Sequence, residues 1–137
     1  MAEKANTTPD DDRNNHLFIY AIVRADLEMP TGKLAAQAGH AYTDALLDCL
    51  DKHPELVERY RRGINAGSKA TLKAKNEAAL MRAYEDCQTS GLPCALVVDE
   101  NHILLPHFDG SPIVTALGIG PVSRADARQI VKRFSSV

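Results

Sequence analysis

The chain has 137 residues, 45% apolar and 25% charged, the size of one ordinary domain and a balance that excludes a disordered chain, a coiled coil and a collagen-like repeat. No apolar run approaches the roughly 20 residues needed to cross a bilayer, and the opening MAEKANTTPDDDRNN lacks the apolar centre of an export signal, so a cytoplasmic, non-membrane protein is expected. Net charge is −2, but Glu3, Asp10, Asp11 and Asp12 against Lys4 and Arg13 account for it and leave 14 charges of each sign in the remainder. A nucleic-acid partner therefore turns on where Lys and Arg cluster and not on their sum. Cys49, Cys87 and Cys94 are odd in number and lack C-x-x-C spacing, which suggests neither a disulfide framework nor a zinc knuckle and fits a reducing compartment.

Residues 1–15 are polar, without apolar periodicity, and are expected to form a disordered tail ahead of one domain over 16–137. Leu17 to Val23, LFIYAIV, reads as a central strand covered on both faces. After a turn through Asp26, Met29 and Pro30, Thr31-Gly32-Lys33 opens a helix in which Leu34, Ala38, Ala41, Ala45, Leu46 and Cys49 recur at helical spacing. Lys33, Gln37, His40 and Asp44 fall at steps of four, three and four, one polar stripe on that helix. A shorter helix starts at His53-Pro54-Glu55. Ser68 to Lys75 alternates as a strand with Lys69, Thr71, Lys73 and Lys75 on a wet face. Asn76 caps a helix running to about Ser90, with Gly91 as its stop. Cys94 to Val98 is a buried strand that delivers Asp99 at its C-terminal end, and residues 100–112 form a loop or irregular hairpin. Ile113 to Ile119 is a further strand, and Ser123-Arg124-Ala125-Asp126 resembles a capping box before a last helix. The order implies an α/β fold, a three-layer α/β/α domain on a four-stranded mixed sheet.

Several positions invite chemistry, each beside a plainer reading. A helix start carrying Lys33 offers free N–H groups and a cation to a phosphate or oxyanion, or is an ordinary solvated terminus. Gln37 and His40 are polar ligands or a wet helix face. Asp99 orients water or simply caps a turn, and Thr115 is a site hydroxyl or a β-former. Asp99, His102, His107 and Asp109 match no usual zinc spacing, so no metal is expected. Gly118-Ile119-Gly120-Pro121-Val122-Ser123 sits between a strand and a helix, but 14 residues remain after Ser123, too few for a dinucleotide fold. The cysteines fall on apolar faces, as small core hydrophobes do.

Taken together, IYAIVRADLEMPTGKLAAQAGHA (Ile19 to Ala41), GSKATLKA (Gly67 to Ala74), G-L-P at Gly91 to Pro93 and TALGIGP (Thr115 to Pro121) resemble the type II peptidyl-tRNA hydrolases of archaea and eukaryotes. The resemblance spans about Leu17 to Phe134. It implies hydrolysis of the ester joining a peptide, or an N-blocked amino acid, to tRNA, in a homodimer that rescues tRNA from aborted translation. It also implies Lys33, Asp99 and Thr115 as catalytic residues and Lys69 and Lys73 as RNA-binding ones; Gln37, His40 and His102 are further substrate-binding candidates, and no metal or organic cofactor is expected. Where the family usually runs D-A-G-x-T-Q, this chain has Asp99-Glu100-Asn101-His102-Ile103-Leu104. Ile103 thus takes the place of a further family threonine, the segment to Thr115 is longer than usual, and His102 is the candidate substitute. The alternative implied by that departure is a relative that binds RNA or a protein partner with altered specificity or without catalysis.

Overall fold

Eight residues from Leu17 to Arg24 form β1, the middle of the sheet, where β-branched and aromatic side chains are buried on both faces. The computed structural model describes residues 16–137, and the expected tail at 1–15 lies outside the described residues. After β1 come α1 (Thr31–Lys52), α2 (Pro54–Arg61), a 3-10 turn (Ile64–Ala66), β2 (Ser68–Ala74), α3 (Glu77–Ser90) and β3 (Cys94–Asp99). A small hairpin, β4 (Ile103–Leu104) and β5 (Phe108–Asp109), precedes β6 (Ile113–Ser123), α4 (Arg124–Val131) and β7 (Ser135–Ser136).

The sheet is mixed and runs β3-β6-β1-β2-β7, five strands among the described residues and not the expected four. The extra strand is Ser135–Ser136, which has no apolar alternation to betray it. It is strand because Leu72 and Lys73 on the edge strand β2 pair with it, covering part of an otherwise open edge. β1 is parallel to β2 and antiparallel to β6, and β3 is also antiparallel to β6. The C-terminal ends of β1, β2 and β3 therefore share one edge of the sheet.

Alternation along β1 builds the three layers. Ala21 and Val23 pack with Leu27, Met29, Ala38 and Ala41 beneath α1, while Tyr20 and Ile22 pack with Leu80, Ala83 and Cys87 of α3 and Ala127 and Ile130 of α4. Small residues line the contact between α1 and the sheet. A Cβ at Gly118 would collide with the Ala41 carbonyl oxygen and the Ala45 side chain, so glycine there lets the helix lie close on β6. Asn76 and Ser123 cap α3 and α4, accepting from the N–H groups of Ala79 and Asp126. Gly91 ends α3 in the left-handed region at φ 72°. Cys49, Cys87 and Cys94 are free thiols, the first two buried, and burial raises the pKa of Cys49. No helix among the described residues is long and apolar enough to cross a membrane.

Candidate active site

The sheet edge shared by the ends of β1, β2 and β3 carries the site. Lys33 is the third residue of α1, in the turn whose N–H groups have no acceptor within the helix. Leu27 and Met29, buried in the turn after β1, fix where that helix begins. Asp99 is the last residue of β3. Fold topology brings these two side chains together across 66 positions of sequence: Lys33 Nζ donates to Asp99 Oδ2 at 2.7 Å. Both are largely sheltered, with side chains 12% and 20% exposed, and in such surroundings an ion pair is screened less than on an open surface.

The hairpin after Asp99 completes the surroundings of the ammonium. His102 Nδ1 lies 2.8 Å from Lys33 Nζ, and the ring of Phe108 presents its face to Nζ with the centroid 4.3 Å away. Phe108 is itself buried against the α1 side of the core, so the hairpin is anchored by one aromatic while Ile103 and Leu105 remain exposed. An ammonium has three N–H donors; Asp99 and His102 take two, and one is left for a carbonyl oxygen. That combination, a carboxylate able to accept from water and a cation with a spare donor beside it, suits attack by water on an ester.

Thr115 and Gln37 are also brought together, but inside. Thr115 is fully buried and donates its hydroxyl to Gln37 Oε1 at 2.5 Å. The pairing explains an irregularity in the sheet: β3–β6 register passes from Val97↔Ala116 to Val98↔Val114, so Thr115 is the extra residue of a β-bulge, turned toward α1. Gln37 consequently does not belong to a wet stripe with Lys33, His40 and Asp44; it is buried at 4% exposure because its amide has that hydroxyl as partner. His40 and Asp44 do face solvent.

Register Ile19↔Lys69, Ala21↔Thr71 and Val23↔Lys73 places both lysines on the α1 side of the sheet, beyond the cover of the helix. Lys69 Nζ lies 5.4 Å from the ring centroid of Tyr60, and Tyr42 on α1 reaches Thr71 between the lysines at 2.5 Å. Lys73 also borders a groove of about 410 Å³ with Lys75, Arg82 and Arg133. Among the described residues no three His, Cys, Asp or Glu side chains are grouped to hold a metal ion.

Two features have little signature in the sequence. Arg24, which lies in the stretch that carries the resemblance but is given no role by it, donates to the Val114 carbonyl at 3.0 Å and forks onto Asp26 at 3.1 and 2.8 Å. It thereby braces the bulge that holds Thr115, and its guanidinium keeps the Asp26 carboxyl below the usual range. The R-x-D spacing was the available clue. The stacking of Phe108 on Lys33 had none, since 75 positions and an irregular loop separate them.

A mixed α/β/α domain that brings a lysine and a carboxylate together where β1, β2 and β3 end has the groups that attack by water on an ester needs. Comparison with known proteins makes the class specific. A family model described as "Peptidyl-tRNA hydrolase PTH2" matches residues 17–137, and the chain belongs to that family. Curated relatives named peptidyl-tRNA hydrolase include those of Methanocaldococcus jannaschii, 35% identical over 73% of this chain and 82% of the relative, and Methanococcus vannielii, 35% identical over 82% and 92%. That of Methanopyrus kandleri is 37% identical over 73% and 80%.

Proposed function

We propose that this chain hydrolyses the ester between a peptide, or an N-blocked amino acid, and the 3′ ribose of tRNA, returning free tRNA to translation. The observation that carries the reading is the 2.7 Å contact of Lys33 with Asp99 inside a domain of this family. In the proposed reaction Asp99 orients a water and takes its proton as the oxygen attacks the carbonyl carbon, and the spare N–H of Lys33 holds the oxyanion. Thr115, enclosed as it is, acts through Gln37: its hydroxyl fixes the amide oxygen and leaves the amide N–H groups for other partners. Neither a metal nor an organic cofactor enters the scheme.

Lys69 and Lys73, with the groove of Lys75, Arg82 and Arg133, supply the cationic surface for acceptor-stem phosphates that net charge conceals, and exposed His40 is a further RNA contact. The activity is assigned to 16–137 as one unit, in the cytoplasm, where free thiols persist and aborted translation supplies the substrate. A homodimer is the proposed assembly, for which exposed Leu47 and Leu50 on α1 offer apolar surface. Single-turnover cleavage of an N-acetyl-aminoacyl-tRNA tests the assignment. Release of N-acetyl-amino acid at a rate far above spontaneous hydrolysis is expected. Binding without turnover would point to a non-catalytic relative, and turnover of simpler acyl esters alone to a different substrate.

A further inference from the structure

His102 is placed to do more than line the cleft, and the tautomer that its neighbours impose says what. The ammonium of Lys33 has no acceptor, so a 2.8 Å contact with Nδ1 requires a lone pair on that nitrogen and puts the ring proton on Nε2. Asp99 cannot compete for the ring directly: Nδ1 to Asp99 Oδ2 is 4.0 Å, beyond hydrogen-bond length. The three groups thus form a bent hydrogen-bonded path, Asp99–Lys33–His102, with the ammonium at its corner. The path ends on an N–H at the far side of a half-exposed imidazole.

We propose that His102 is the general acid that protonates the departing 3′-oxygen, as the outer member of a proton relay running from Asp99 through Lys33. This rests on the ester-hydrolase reading above and adds the step which that reading leaves without a donor. In the addition step the water oxygen bonds to the carbonyl carbon, its proton passes to Asp99, and the carbonyl π pair becomes the oxyanion on Lys33. In the collapse step the carbonyl reforms and the bond from carbon to the 3′-oxygen breaks. The leaving oxygen takes the Nε2 proton of His102 while Lys33 passes a proton to Nδ1, so no imidazolate is formed. Asp99 returns its proton to Lys33, and the imidazole, open to solvent, exchanges back to the Nε2–H tautomer. The sum is ester plus water to acid plus alcohol.

The relay separates His102 from a residue that merely shapes the cleft, because a glutamine can donate a hydrogen bond there but cannot pass a proton on. General acids of this kind contribute about 10²–10⁴ in rate. Single-turnover cleavage of N-acetyl-aminoacyl-tRNA is measured for the unaltered chain, His102→Ala and His102→Gln, with thermal melts as a check on folding. Both variants are expected to lose at least about 100-fold in the rate at saturating enzyme, with the half-saturating concentration changed by only a few-fold. Added imidazole is expected to restore His102→Ala saturably and to leave His102→Gln unrestored. The proposal is overturned by a glutamine variant as fast as the unaltered chain, by an alanine variant within about threefold of it, or by an alanine variant that imidazole does not restore. An unaltered chain that fails to cleave the ester removes the underlying reading as well, and that result is distinct from the other three.

Discussion

Replacing Thr115 by valine keeps the shape of the side chain and deletes one hydrogen bond, so its consequences follow from the Thr115–Gln37 contact alone. The partner is 4% exposed and its oxygen is left with no donor in place of one at 2.5 Å. Orphaning a buried acceptor costs about 1–3 kcal/mol, which for a domain of this size lowers Tm by about 4–12 °C. Gln37→Leu orphans the hydroxyl at the other end and is expected to cost a similar amount. Removing both polar groups leaves nothing unsatisfied, so the double variant is expected to lose less than the sum of the singles, with a coupling of about 1 kcal/mol or more. Equilibrium unfolding in urea reads all four proteins, and single-turnover hydrolysis reads the same set. Thr115→Ser, which keeps the donor, is expected to retain activity, whereas Thr115→Val loses it through a disordered Gln37 amide. Strictly additive stabilities, with coupling below about 0.3 kcal/mol, would refute the bond as a structural element of the site.

Gly118→Ala is expected to lower stability by about 3 kcal/mol, the upper end for overpacking, because the added methyl meets backbone at Ala41. Gly39→Ala, where a Cβ meets nothing within 4 Å, is expected to raise it by about 0.5–1 kcal/mol; midpoints in urea compare the two. The Asp26 carboxyl lies below its ordinary 3.8 through its hydrogen bonds with Arg24. That contribution is complete well above 3.8 and is lost as pH falls through the lowered value. Asp26→Asn is therefore expected to cost up to about 1 kcal/mol at neutral pH and to converge with the unaltered chain as pH falls through the lowered value, as acid-titrated unfolding would show. Lys73→Ala is expected to weaken tRNA binding and to reduce the slope of log affinity against log salt by about 1. An unchanged slope in a salt titration would place the phosphates elsewhere.

The pattern of side chains reaches far into this fold and stops at identifiable points. LFIYAIV, the alanine-rich face of α1 and the caps at Asn76 and Ser123 are local signals of elements that tertiary packing then respects. Ser135–Ser136 is strand only because β2 needs a partner, a cause that lies outside the segment itself. Gln37 reads as wet because glutamine usually is; its burial depends on a threonine 78 positions away that a bulge turns inward. At the site, Lys33 and Asp99 carry local marks, a helix start and a strand end, and the resemblance pairs them with one function. Their 2.7 Å separation comes from the parallel sense of β1 and β3. The contacts of Lys33 with His102 and Phe108 follow from an irregular hairpin for which periodicity offers no guide.

The central claim is that Lys33 and Asp99 act as one unit on a single ester. A kinetic cycle of Lys33→Ala, Asp99→Asn and the double variant, read by single-turnover release of N-acetyl-amino acid from tRNA, addresses it directly. Groups that work as a unit are grossly non-additive, so the double variant is expected to be no slower than the slower single one. Rate losses that multiply in the double variant, or a single variant retaining full activity, would contradict the account.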